Sequence, residues 1–61
     1  MPVVRISLLA GRTKEQKSKI VADVTKALVD HAGSTPEHVN VIFDEQSRDN
    51  WGLSGKLLSK D

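Results

Sequence analysis

Two short apolar stretches flank one long amphipathic segment in this chain, and that order leaves few folds open to it. Residues 2–9 are β-branched and aliphatic, with Val4, Ile6 and Leu8 alternating with Val3, Arg5 and Ser7. A period of two marks a strand with one drier face. Residues 38–44 repeat the pattern, placing Val39, Val41 and Phe43 on one side. Between them, Thr13-Lys14-Glu15-Gln16 has the form of a capping box, Thr13 bonding forward and Gln16 reaching back. A helix over about 13–32 follows. Ile20, Val24, Ala27 and Leu28 form its apolar stripe beside Val21, while Lys14, Lys17, Lys19 and Asp23 face water. Gly33 suits a C-terminal cap, and Ser34-Thr35-Pro36 a turn. The sequence thus predicts a β-α-β unit of the α/β (α+β) class with parallel strands and a right-handed crossover.

The remainder is short. Residues 46–50 are polar, and Trp51-Gly52-Leu53-Ser54-Gly55 predicts a short C-terminal hairpin or docking arm, with 56–61 forming a last turn or fraying. Residues 1–61 make a single domain, and a chain of this length buries only about 60% of its unfolded surface. A two-stranded sheet is itself marginal in water. Small folds compensate with disulfides, metals or assembly. Cysteine is absent, which removes disulfides and thiolate metal sites, and His31 and His38 have no metal-ligand spacing. Assembly into an oligomer is the expectation that remains. Nine Lys or Arg against eight Asp or Glu give a net charge of +1, which offers no nucleic-acid footprint. No apolar run suits a bilayer span or a signal peptide, so the chain reads as cytoplasmic, with no membrane partner.

Few residues carry chemistry. Pro2 is a strand-starting proline in the translated chain; with Met1 removed it becomes a rigid secondary amine, and so a base. Arg12 stands where the first strand gives way to the helix. It is either a surface arginine or a carboxylate clamp with two parallel hydrogen bonds. Pro2 and Leu9 are seven strand steps apart, roughly 23 Å at about 3.3 Å per step. Within one chain Pro2 and Arg12 therefore cannot share a substrate. Antiparallel pairing of two first strands would bring Pro2 of one chain beside 9–12 of the next, so a site using both lies between subunits. Trp51 is either an apolar wall or an anchor on a neighbouring subunit. His38 and Asn40 flank Val39 and can face a site, Phe43 belongs to the core, and His31 suits the helix end. Asp44 and Glu45 read as a solvated acidic pair rather than as ligands.

Pro2, Gly11-Arg12-Thr13, Glu15-Gln16-Lys17 and Trp51-Gly52-Leu53-Ser54-Gly55 together resemble the 4-oxalocrotonate tautomerase family, a group of short β-α-β subunits with an amino-terminal proline. The resemblance runs without gaps over nearly the whole chain. It implies a homohexamer, a trimer of dimers, with sites at subunit boundaries and no cofactor or metal. It implies Pro2 as general base, Arg12 as the carboxylate-binding residue from a neighbour, Trp51 in the pocket wall and Leu9 lining the site through its backbone. The implied substrate is a small unsaturated 2-oxo or 2-hydroxy acid such as 2-hydroxymuconate. Two positions depart: Asn40 stands where well-studied members carry a second arginine, and His38 replaces a smaller polar residue. Asn40 can donate a hydrogen bond to a carbonyl or enolate oxygen but brings no charge.

To act as base near neutral pH, Pro2 must be unprotonated, which a nearby cation and a desolvating pocket both favour. A cation about 6 Å away contributes roughly 2.8 kcal/mol at an effective dielectric of about 20. Two other readings stand beside tautomerisation. Relatives on this scaffold carry out dehalogenation, hydration or decarboxylation with a protonated proline, which a Pro2 titrating well above neutrality would indicate. A chain that retains Met1 would be a non-catalytic oligomeric domain.

Overall fold

The computed structural model describes residues 2–59. Met1, Lys60 and Asp61 lie outside the described residues. With them falls the state of Met1, on which the Pro2 chemistry depends, and the end of the expected terminal turn.

Strand β1 (Val3–Leu9) leads through Gly11 into helix α1 (Lys14–Ala32), a 3-10 turn (Pro36–His38) and strand β2 (Asn40–Gln46). β1 and β2 are parallel, in register from Val3 opposite Asn40 to Leu9 opposite Gln46. The capping box forms as expected. The Thr13 hydroxyl accepts from the Gln16 N–H at 3.1 Å, and the Gln16 side-chain oxygen accepts from the Thr13 N–H at 2.9 Å. Gly33 closes the helix in the left-handed conformation. The chain turns from β1 toward the helix at Gly11, whose φ of 127° lies where a side chain is strained.

Strand two starts two residues later than the apolar pattern suggested. Pro36 opens a 3-10 turn that takes up Glu37 and His38, and β2 then runs on through the polar residues Glu45 and Gln46, because they still have Leu8 and Leu9 to pair with. Residues 46–50 are correspondingly reduced to a 3-10 turn, Arg48–Asn50. Lys56 and Leu57 neither fray nor form a last turn. They make strand β4 (Lys56–Leu57), antiparallel to β3 (Gly52–Leu53). The two-residue loop, Ser54 at φ 55° and Gly55 at φ 79°, has positive φ at both positions, the turn whose twist suits a tight hairpin.

The helix covers one face of the two-stranded sheet. Lys17 reaches Glu45 at 2.8 Å and lies 6.0 Å from the centre of the Phe43 ring. This fixes Val4, Ile6 and Leu8 with Val41, Phe43 and Glu45 on the helix side, since directly paired residues share a face. Two expectations are corrected here. Lys17 is not solvated, its side chain being only 27% exposed, and Asp44 and Glu45 are not an acidic pair. They point to opposite faces, Glu45 toward Lys17 and Asp44 toward Arg5 at 3.4 Å. Ala27, placed in the apolar stripe by periodicity, is exposed, whereas Ile20, Val21, Val24 and Leu28 are half-buried.

The opposite face of the sheet is open. Val3 is 55% exposed and Ile42 37%, while the hairpin leaves Leu53 and Leu57 more than half exposed. Among the described residues none is buried in the single chain. Its radius of gyration is 14.6 Å, where a compact domain of this length has about 10.5 Å. Its accessible surface is 4754 Å², against about 3900 Å² for a compact monomer of this mass. Helix and sheet meet, but no interior forms. Among the described residues no helix is long and apolar enough to cross a membrane.

Candidate active site

Parallel pairing sorts the candidate residues by strand end. Pro2 precedes β1 and is half-buried; its carbonyl accepts from the N–H of Asn40 at 3.0 Å. That bond ties the proline to the first residue of β2. The Asn40 side chain turns back, Nδ2 donating to the His38 carbonyl at 3.4 Å, so its Oδ1 is left free of that contact. Pro2, His38 and Asn40 are thus gathered at the amino ends of the strands, and the polar side chains there are an amide and an imidazole rather than a guanidinium.

Leu9 and Arg12 stand at the other end. The N–H of Ala10 donates to the Gln46 carbonyl at 2.9 Å, extending the pairing one residue past β1. The Arg12 guanidinium folds back so that Nη1 donates to the Leu9 carbonyl at 3.4 Å. This is a long, neutral-acceptor contact that a bound carboxylate would outcompete. Seven residues of β1 separate this group from Pro2, so the two halves do not meet in one chain.

Trp51 follows the Arg48–Asn50 turn and is half-buried, its carbonyl accepting from the Leu58 N–H at 2.9 Å just beyond the hairpin. The hairpin therefore braces the backbone of the tryptophan. Arg48 was not singled out by the sequence patterning. The signal for it was its spacing of three residues from Trp51, one turn of 3-10 helix, which only the observed turn makes meaningful. Among the described residues no three His, Cys, Asp or Glu side chains come together as a metal site would require.

One chain thus presents a half-buried proline at one sheet end and an arginine at the other, divided by a strand. Residues 2–61 match the family described as Tautomerase enzyme, and the chain belongs to that family. A probable tautomerase of Lactiplantibacillus plantarum is 39% identical over 61 residues, covering all of this chain and 95% of that protein. The 2-hydroxymuconate tautomerase of Bacillus subtilis is 39% identical over 59 residues, 97% of this chain and 95% of that one. Among solved structures, YwhB, a homologue of 4-oxalocrotonate tautomerase, superposes with a TM-score of 0.90 at 38% identity over 95% of each chain. The β-α-β architecture with its small terminal hairpin is that of 4-oxalocrotonate tautomerase homologues, and the family supports an isomerase.

Proposed function

We propose that the chain, freed of Met1 and assembled with copies of itself, is a tautomerase acting on a small unsaturated 2-oxo or 2-hydroxy acid such as 2-hydroxymuconate. The observation that carries this reading is the division of the site, with Pro2 and Asn40 at one end of the sheet and Leu9 and Arg12 at the other. Antiparallel docking of two β1 strands through their free edges completes it, setting Pro2 of one subunit against Arg12 of the next. The absence of any buried residue among those described in the single chain gives assembly its driving force, since the open sheet face and the hairpin leucines gain by leaving water. A homohexamer built as a trimer of dimers is the proposed form.

In the proposed reaction Arg12 holds a substrate carboxylate and Trp51 walls the conjugated chain. Neutral Pro2 takes the enol proton, leaving a dienolate whose oxygen accepts a hydrogen bond from Asn40. The prolinium then returns a proton to a conjugated carbon. One O–H bond is exchanged for one C–H bond, and no electrons leave the substrate. A proline that starts a strand is well suited to this, because its ring and the Asn40 bond to its carbonyl hold the nitrogen in place.

The deciding experiment is steady-state kinetics of protein whose mass shows loss of Met1, with 2-hydroxymuconate and phenylenolpyruvate as substrates. Turnover of either acid that Pro2→Ala reduces by about 100-fold or more supports the reading, general-base catalysis contributing about 10²–10⁴-fold. No turnover of either, or turnover indifferent to Pro2→Ala, removes it.

A further inference from the structure

A second arginine, Arg48, follows the same end of the sheet as Arg12. The carboxyl ends of β1 and β2 are tied together by the Ala10–Gln46 bond; Arg12 lies two residues beyond Ala10, and Arg48 two beyond Gln46. Of the three arginines, Arg5 is paired with Asp44, and the half-buried Lys17 with Glu45. Among the described residues Arg12 and Arg48 form no ion pair, and Asp49, next in sequence to Arg48, does not neutralise it. The Arg48 carbonyl accepts from the Trp51 N–H at 3.4 Å, the backbone bond that closes the turn between the two residues. An arginine and a tryptophan thus stand at the two ends of one short braced segment.

We propose that Arg48 is a second carboxylate-binding residue of this site, sharing with Arg12 the substrate carboxylate farther from Pro2 and so favouring acids charged at both ends. The inference rests on the tautomerase reading for its substrate class, but not for its geometry. Two guanidinium groups brought together at one strand end would repel each other, and an anion between them would relieve that repulsion. Arginine's planar fork binds carboxylate with two parallel bonds, while Trp51 in the same turn offers its face to the conjugated carbons next to that carboxylate. The charge missing at Asn40 is thereby restored at the opposite end of the substrate.

The test separates binding from turnover. Muconate, the diacid without the hydroxyl, is titrated calorimetrically into wild-type and Arg48→Gln assemblies, and 2-hydroxymuconate kinetics are measured on the same preparations. The expected result is a five- to tenfold weaker Kd and a matching rise in KM, with kcat within twofold. Unchanged Kd and KM, a fall in kcat alone, or no muconate binding by the wild type would overturn the proposal. Loss of turnover in the wild type with muconate binding still dependent on Arg48 would instead count against Pro2 as base. If Arg48→Gln does not assemble, Arg48→Lys keeps the charge and loses the fork. Its expected two- to threefold rise in Kd reads the same contact, and an unchanged Kd overturns it.

Discussion

Arg12 and Asn40 carry the sharpest consequences of single side chains. The Arg12 guanidinium rests on the Leu9 carbonyl at 3.4 Å, a contact too long to hold it against a carboxylate. Hydrogen bonds to charged groups are worth about 1.5–3 kcal/mol, so Arg12→Gln is expected to lower kcat/KM by roughly 10- to 100-fold without changing the thermal midpoint by more than a degree or two. Enzyme kinetics and a melting curve on one preparation check both halves. Asn40 is anchored through its backbone to Pro2, so replacing its side chain leaves that anchor intact. Asn40→Arg is expected to raise kcat/KM for both 2-hydroxymuconate and phenylenolpyruvate, because it adds charge beside the dienolate oxygen that both substrates form next to Pro2. Unchanged kinetics with both acids would separate Asn40 from the reaction.

The elements show what local chemistry decides and where it stops. Helix α1 was legible because its signals agree: Thr13 and Gln16 cap it reciprocally, and Ile20, Val24 and Leu28 return at helical spacing. Thr13→Ala removes one of those bonds and is expected to cost about 1 kcal/mol, read as a lower melting temperature at fixed protein concentration. The hairpin turn was legible only in outline. Ser-Gly announces a turn, but the pairing of Leu53 with Lys56 depends on both loop residues taking positive φ. Gly55→Ala places a side chain at φ 79° and should cost about 1–2 kcal/mol, with loosening at Trp51 seen as a change in tryptophan fluorescence. The start of β2 was missed because Val39 continues the apolar alternation while the Pro36 turn still governs the backbone. Helical periodicity treats any lysine as outward, whereas the Lys17 ammonium pairs with Glu45 and stands 6.0 Å from the centre of the Phe43 ring. Pro2 and Arg12 were legible as residues and, through the length of the first strand, as groups that one chain cannot bring together.

At the scale of the whole molecule, a chain 46 Å long and 14 Å thin with no buried residue among those described has little to hold it folded alone. Its stability is therefore expected to be a property of the assembly, and the melting temperature to fall as the protein is diluted. Ile42, on the open face beside the Arg5–Asp44 pair, is the residue to probe. Ile42→Asp would bury an unpaired charge against a neighbour, and sedimentation should then show subunits whose circular dichroism has lost much of its helical signal. A well-folded Ile42→Asp monomer would contradict this. The seven residues of β1 also have a consequence for inheritance. If each site takes its proline from one chain and its arginine from another, a Pro2→Ala allele and an Arg12→Gln allele, each impaired by itself, would rescue one another when co-expressed. Random mixing would leave about a quarter of the sites with both native residues, so two impaired strains would cross to give a more active one.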